Sequence, residues 1–259
     1  MRFQAVIFNW RGHERRAAAL ERQFAALCPV RVVNSESAAE GRHPQWEHIG
    51  EDGYFTAQWQ RALRGFDADV LFHVQADAAS PHFAGILERC RHAMQRLGCG
   101  IYAPNVDYTA WVYDLARLQR VEGQYFEVPQ TDCTCWAISR EVLEAAPAMD
   151  PATNKYGWGI DFLTIGAARA LGRRVLRDYR YTVNHPWRGA GYDTSAADVQ
   201  ARAVFAALPE DVQRRTADLR REAQEKLGRQ PWRRRLNESG RQKLRELRAA
   251  LRLSARGGK

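Results

Sequence analysis

The sequence contains no apolar run of about 18 residues, the length that a helix needs to cross a bilayer. The N-terminus has no secretory signal pattern either, because residues 1–7 lead directly into a strand-like apolar segment. Cysteine is scarce, and the five cysteines are an odd number for a disulfide framework. These absences predict a cytoplasmic protein that keeps its thiols free and has no membrane-spanning helix.

The body of the chain also carries almost no net charge. The formal charge is +9, but residues 211–259 alone have 16 basic and 6 acidic side chains, whereas the rest of the chain has 23 basic and 24 acidic ones. An electrostatic attraction to an anionic partner would therefore depend on the C-terminal segment. We find no internal repeat and no recognised nucleic-acid-binding motif, so nucleic acid is not the expected partner.

Apolar patterns predict an α/β fold. Residues 3–8 and 30–33 are short apolar runs rich in strand formers, and residues 14–27 between them place apolar side chains at helical spacing. A strand, a helix and a second strand in close succession are typical of a parallel sheet. Further strands are predicted at 69–74, 100–104, 131–139 and 174–179, and further helices at 54–63, 80–97, 140–146 and 161–172. We predict a mostly parallel, Rossmann-like sheet flanked by helices in residues 1–195, followed by a basic helical extension in residues 196–259.

Residues whose side chains could bind a ligand or take part in catalysis follow the predicted strands. Gln75-Ala76-Asp77 comes directly after the strand at 69–74, and open α/β sheets bind ligands at the carboxyl ends of their strands. Tyr156-Gly157-Trp158-Gly159-Ile160-Asp161 combines aromatic rings with a carboxylate, on a backbone that two glycines keep flexible. His185-Pro186 follows the strand at 174–179. We expect these three segments to form one ligand site.

The ordered set of motifs resembles the GT-A-fold glycosyltransferases of family 2, over about residues 3–190. The segments that carry the resemblance are Val6-Ile7-Phe8-Asn9-Trp10, Val32-Val33-Asn34-Ser35, Gln75-Ala76-Asp77 and Gly157-Trp158-Gly159-Ile160-Asp161. The resemblance implies an inverting enzyme of the hexosyltransferase type, which moves a sugar from a nucleotide-diphosphate donor to a glycan or lipid-linked acceptor. It also implies a role in the biosynthesis of surface polysaccharides or glycoconjugates.

A departing nucleoside diphosphate needs positive charge, which a divalent cation such as Mn²⁺ or Mg²⁺ supplies. In the resembled family, the second Asp of the Asp-x-Asp motif binds the metal, and Asp77 matches that position. The resemblance implies that His185 is a second metal ligand. Gln75 replaces the first Asp of that motif, so it can hydrogen-bond a ribose hydroxyl but brings no charge to the cation. Alternatively, His185 is a polar strand end before the turn at Pro186.

The resemblance implies further contacts to the donor nucleotide, at the ends of the first two strands and in the loop after them. Turn residues are also expected at such places without any ligand. The alternative for Asp52 is an exposed acid on the loop. The residues concerned are Phe8, Asn9, Trp10, Asn34, Ser35 and Asp52.

On the acceptor side, the resemblance implies that Asp161 is the general base, since an inverting transfer needs a carboxylate beside the attacking hydroxyl. The alternative for Asp161 is the N-cap of the following helix. Trp158 would stack on a sugar face or simply pack in the protein. Asp132 is a second acid, either near the acceptor or supporting its loop. Cys133-x-Cys135 does not predict zinc, because no second cysteine pair accompanies it.

Residues 227–259 place leucines at helical spacing with basic residues on the opposite face. Such a helix can lie on an anionic membrane surface, as in a peripheral membrane protein, or pack its leucines on the body. A lipid-linked acceptor would favour the membrane interpretation. Two interpretations of the whole protein stay open beside the enzyme: a catalytically silent glycan-binding member of the same fold, and a nucleic-acid-binding protein that acts through the basic tail in a salt-dependent way.

Overall fold

The computed structural model describes residues 1–107, 117–131, 133–185 and 194–229, without the side chains of 227–229. Nine strands of these residues form one sheet in the order β3-β2-β1-β4-β8-β5-β9-β7-β6. The strands are β1 Phe3–Asn9, β2 Val30–Asn34, β3 Glu47–His48, β4 Val70–Gln75, β5 Cys99–Val106, β6 Gln119–Glu122, β7 Tyr125–Glu127, β8 Cys135–Ser139 and β9 Arg174–Val183. The helices are α1 Glu14–Ala25, α2 Phe55–Leu63, α3 Phe83–Arg96, α4 Arg140–Ala145, α5 Ile160–Ala170, α6 Thr194–Ala207 and α7 Glu210–Arg229.

The predicted α/β fold is confirmed. Strand β1 pairs in parallel with β2 and with β4, and β2 pairs in parallel with β3. Strand β8 then lies antiparallel between β4 and β5, and β5 pairs in parallel with β9. The hairpin of β6 and β7 adds antiparallel pairs at the far edge. The sheet is therefore parallel in its N-terminal half and mixed beyond β4.

Two apolar layers cover the sheet. On one face, α1 and α3 contribute Phe24 and Phe83, whose rings meet at 4.8 Å, and Phe24 also contacts Phe72 of β4. On the other face, Trp59 of α2 packs against Trp136 of β8, with ring centroids 5.6 Å apart. Each large apolar side chain that is fully buried stabilises the fold by about 1.5–3 kcal/mol. The sheet is thus a rigid platform whose strand ends position the polar residues.

The described part of the C-terminal extension packs on the body. The predicted boundary between residues 195 and 196 falls inside α6, and α7 lies against α5 with Leu219 and Ala223 buried. Arg169 of α5 forms an ion pair with Glu222 of α7 at 3.7 Å. Residues 230–259, which contain most of the predicted leucine stripe, lie outside the described residues. None of the described helices combines the length and apolar character that a bilayer crossing requires.

Candidate functional site

Asp77 and His185 lie together at the carboxyl end of β4. The distance between Asp77 Oδ2 and His185 Nε2 is 3.4 Å. Backbone pairing causes this proximity: Ala79 and Asn184 form an isolated antiparallel bridge, with N–H···O distances of 2.9 and 2.7 Å. The loop after β4 and the end of β9 are thereby joined. The sequence motifs at these two places, which are distant along the chain, contribute to one site.

The donor atoms of this pair suit a divalent cation. Asp77 Oδ1 is buried and has no hydrogen-bond partner among the described residues, although a buried carboxylate oxygen normally has one. Mn²⁺ can bind both carboxylate oxygen and imidazole nitrogen. Mg²⁺ commonly binds to one or two carboxylates together with phosphates and water. No cluster of three or more His, Cys, Asp or Glu suited to a metal occurs within the described ranges. The residues therefore fit a cation whose remaining ligands come from phosphate and water.

Asp107 is an acid that the sequence reasoning missed. It follows β5, and its Oδ1 accepts a hydrogen bond of 2.8 Å from the backbone N–H of His185. Its own N–H donates to Val183 O at 3.0 Å. Asp107 thus holds the segment that carries His185. The available signal was its place at the carboxyl end of a strand, but the predicted strand ended at Pro104, whereas β5 continues to Val106.

The ends of β1 and β2 are joined by buried amides. Asn9 Nδ2 donates to Asn34 Oδ1 at 2.6 Å, and Asn34 Nδ2 donates to Glu36 O at 2.8 Å. Ser35 Oγ donates to Asn9 O at 3.2 Å. Asn9 and Asn34 are almost completely buried, whereas Trp10 beside them is half-buried. The two asparagine side chains therefore bond to protein groups, and Trp10 is the more accessible residue at this edge.

Phe8, a predicted nucleotide contact, has its side chain in the core. Phe8 is fully buried, and its ring meets Phe55 edge-on at 5.3 Å and His73 at 4.2 Å. The reason is that β1 lies between two other strands with helices on both faces, so a side chain on either face is covered. By contrast, Gln75 is half-buried and Asp52 is exposed on its loop.

His73, beneath this edge, is a buried titratable group. Both of its ring nitrogens lack a hydrogen-bond partner among the described residues, and the rings of Phe8, Phe55 and Trp59 surround it. Burial disfavours the charged imidazolium and lowers the pKa of His73 from its ordinary 6.5 to about 3. The folded state therefore keeps this histidine neutral well into the acid range.

We expect His73 to make the protein less stable in acid. Between pH 6.5 and about 3 the unfolded chain binds a proton at this position and the folded chain does not, so the free energy of unfolding should fall by about 1.4 kcal/mol per pH unit. His73→Phe should remove this contribution. Urea denaturation at pH 7 and pH 4.5 measures it: the variant should gain stability relative to wild type as the pH falls. His82→Phe, at an exposed histidine, is the control, and an equal response of both variants would contradict the assignment.

The segment 154–159 precedes α5. Gly157 and Gly159 have φ angles of 76° and 96°, in the left-handed region that favours glycine. Trp158 between them is half-buried. The N-cap position of α5 is Gly159, and Asp161 lies in the first turn of the helix. The alternative interpretation of Asp161 as the N-cap is therefore wrong, and its carboxylate is directed elsewhere.

Asp161 is largely buried, and its Oδ2 accepts a hydrogen bond of 2.9 Å from Gln130 Nε2. Gln130 was not identified from the sequence. It begins the segment 130–134, whose other end meets β4, because Gln75 N donates to Thr134 O at 2.9 Å. This segment therefore connects the neighbourhood of Asp77 with that of Asp161.

Asp132 lies outside the described residues, so its predicted acceptor contact is not located. Its neighbours Cys133 and Cys135 pack in different layers, Cys133 with the α2 and α5 side and Cys135 with the α1 and α3 side. Neither forms a disulfide within the described residues, and the same holds for Cys28, Cys90 and Cys99. The two cysteines of the Cys-x-Cys pair thus do not face one common site.

No family model matches this chain, and the search of curated proteins finds no relative. Solved structures do match. GalNAc-T7 with UDP, GalNAc and Mn²⁺ is 13% identical with a TM-score of 0.56, covering 82% of this chain but 49% of its own length. Glucosyl-3-phosphoglycerate synthase from Mycobacterium tuberculosis, in complex with phosphoglyceric acid, is 14% identical with a TM-score of 0.54, covering 83% of this chain and 80% of that one.

A further match is a mycobacterial protein that is 13% identical, with a TM-score of 0.56, over 83% of this chain and 75% of that chain. Other crystals of the synthase contain Mn²⁺ or Mg²⁺ together with UDP. Identities this low establish the fold and not the activity. The chain therefore has the GT-A fold that these glycosyltransferases share.

Proposed function

We propose that this protein is a glycosyltransferase that uses a nucleotide-diphosphate sugar as its donor. The observation that carries the proposal is the pairing of Asp77 with His185 at the carboxyl end of β4, with Asp77 Oδ1 buried and unbonded among the described residues. The fold likeness to enzymes crystallised with UDP and Mn²⁺ or Mg²⁺ supports it. Gln130 bonds to Asp161, and Thr134, four residues later, bonds to the backbone of Gln75 near Asp77. These contacts support a site with the donor on the Asp77 side and the acceptor on the Asp161 side.

On the donor side, Asp77 and His185 would hold a divalent cation, Mn²⁺ or Mg²⁺. When bound, the cation would neutralise the charge that develops on the leaving diphosphate. Asp107 keeps His185 in place, because its Oδ1 accepts a hydrogen bond from the backbone N–H of His185. Gln75 and Trp10 are the proposed nucleotide contacts, with Ser35 and Asp52 beside them. Asn9 and Asn34 would support this edge from below, since their amides bond to protein groups.

On the acceptor side, Asp161 would take the proton from the acceptor hydroxyl as the oxygen attacks the anomeric carbon. Attack from the face opposite the diphosphate would form the glycosidic bond while the bond from the anomeric carbon to the diphosphate breaks, so that the configuration is inverted. The hydrogen bond from Gln130 fixes the orientation of this carboxylate. Trp158 would present its ring to the sugar face of the acceptor. Asp132 remains a proposed second acid on this side.

The finer parts of the proposal concern substrate and location. We propose a hexosyl donor and a glycan or lipid-linked acceptor in surface polysaccharide or glycoconjugate biosynthesis. The protein would be cytoplasmic, with residues 227–259 touching the anionic inner face of the membrane. The near-neutral body and the basic tail support this arrangement, because electrostatic attraction would then orient the enzyme by its C-terminal end.

Donor binding and hydrolysis across a panel of nucleotide sugars, with and without Mn²⁺ or Mg²⁺, test the proposed function. UDP, the nucleotide bound in the matched crystals, is the first nucleotide probe for affinity. We expect one nucleotide to bind with an affinity that depends on the cation, and its sugar to be released slowly to water. Failure to bind any member of the panel would contradict the enzyme and favour the nucleic-acid interpretation, which a salt titration with duplex and single-stranded DNA then checks. Binding without turnover, also in the presence of glycan acceptors, would indicate the silent glycan-binding alternative.

A further inference from the structure

Asn154 is a fully buried polar residue that the proposed chemistry does not yet use. Its amide bridges two backbone groups of the segment 154–159, here called the acceptor loop after its proposed role. Asn154 Nδ2 donates to the carbonyl of Trp158 at 2.9 Å, and Asn154 Oδ1 accepts from the N–H of Gly157 at 2.9 Å. The bond from Gly157 is buried and the bond to Trp158 is partly buried, and leaving a buried polar group unpaired is costly. One side chain therefore holds the loop from the inside on both sides of the Gly157–Trp158 peptide.

The same loop is confined from the outside by two aromatic rings. A Cβ added to Gly157 would lie 2.5 Å from Phe55 Cδ1 of α2, and one added to Gly159 would lie 2.8 Å from Phe205 Cζ of α6. Both distances are shorter than real carbon contacts. The two glycines thus bring the backbone against α2 and α6, and their positive φ angles make this path unfavourable for other residues.

Lys155 completes the attachment of the loop. Its N–H donates to Gln200 Oε1 of α6 at 2.9 Å, and its carbonyl accepts from Thr56 N of α2 at 3.4 Å. The acceptor loop is therefore bonded to α2 and α6 through Lys155, near its start, while Gly157 and Trp158 bond back to the side chain of Asn154. Such a loop can present a side chain in one orientation, which is the condition for efficient catalysis by positioned groups.

We propose that Asn154 is a positioning residue for the acceptor side of the reaction. By fixing the Trp158 carbonyl and the Gly157 N–H, it sets the direction of the Trp158 ring and the start of α5, whose first turn carries Asp161. Asn154 touches no substrate, because it is buried under the loop. This role rests on the proposed glycosyltransferase function and assigns the loop to acceptor transfer, separate from the donor site at Asp77 and His185.

Three variants test the role of Asn154. Asn154→Ala removes both hydrogen bonds. Asn154→Asp has the same shape and still accepts from Gly157 N–H, but it places a carboxylate oxygen against the Trp158 carbonyl. Thr153→Ala is the matched control: Thr153 is exposed in the same turn, and its hydroxyl bonds only to Asp150 O. If the alanine variant does not fold, the aspartate variant carries the test alone.

The measurements separate donor from acceptor effects. We expect both Asn154 variants to keep the Mn²⁺-dependent affinity for UDP, measured by calorimetry, and to lose about 10- to 100-fold in kcat/KM for transfer to the acceptor, since small misplacements of a reacting group have effects of this size. Amide hydrogen exchange should become faster in residues 157–161 of both variants. Thr153→Ala should match wild type in all three measurements.

The outcomes distinguish this inference from the proposed function. Wild-type transfer rates and wild-type exchange in both Asn154 variants would overturn the positioning role and leave the glycosyltransferase assignment intact. Equal losses of UDP affinity and of transfer would also overturn it, because the residue would then support the whole fold. If wild type itself neither binds nor hydrolyses any nucleotide sugar, the proposed function fails, and the role of Asn154 in transfer fails with it.

Discussion

Replacing Asp161 with asparagine is expected to lower kcat for sugar transfer by about 10²- to 10⁴-fold, the usual contribution of a positioned general base. The amide has nearly the shape of the carboxylate but cannot accept the proton of the acceptor hydroxyl. Its orientation should be kept, because Gln130 Nε2 can still donate to the remaining oxygen. Affinity for UDP in the presence of Mn²⁺ should stay at the wild-type value, as the substitution lies on the acceptor side.

Asp198→Asn is the matched control for this experiment. Asp198 is a partly exposed carboxylate on α6 that pairs with Arg202 one turn later. Transfer rates measured with saturating donor and varied acceptor should be unchanged in this variant. An Asp161→Asn enzyme that retains wild-type kcat while binding UDP normally would show that another group, such as Asp132, takes the proton.

Asp77→Asn should weaken the Mn²⁺-dependent affinity for UDP by at least about 10- to 100-fold, which is the loss seen even for residues that only support a metal ligand. The substitution removes the negative charge beside His185 and the buried oxygen that has no protein partner among the described residues. Calorimetric titration of UDP with Mn²⁺ and with a chelator measures the effect. In the chelator, wild type and variant should bind UDP equally weakly.

His185→Ala and the double variant make this test sharper. If both residues bind one cation, the losses in UDP affinity should be strongly non-additive, because removing either ligand disrupts the same ion. Asp67→Asn serves as the control, since Asp67 is exposed near the start of β4 and pairs only with arginines on the surface. Additive losses would indicate that Asp77 and His185 act on different parts of the ligand.

Some features of the site could be predicted from local sequence. Asp77 is a predicted site residue because a short apolar run ends directly before it, and the structure ends β4 at Gln75. Asp161 and Trp158 are predicted site residues because glycines flank an aromatic residue before a helical pattern. Asp107 was missed because β5 continues to Val106, beyond the apolar run that predicts a strand ending at Pro104. Gln130 and Asn154 were missed because a buried amide has no local pattern that distinguishes it from an exposed one.

The sequence by itself determined the alternation of strands and helices, the neutral body with its basic C-terminal segment, and the polar residues at strand ends. These properties depend on neighbours along the chain, where apolar periodicity reports which side chains must be buried. Only the tertiary structure decided that β8 lies antiparallel between β4 and β5, that the Ala79–Asn184 bridge brings His185 to Asp77, and that the Phe8 side chain is buried. These contacts join residues far apart along the chain, and their free energy depends on the order of strands in the sheet, which no local pattern specifies.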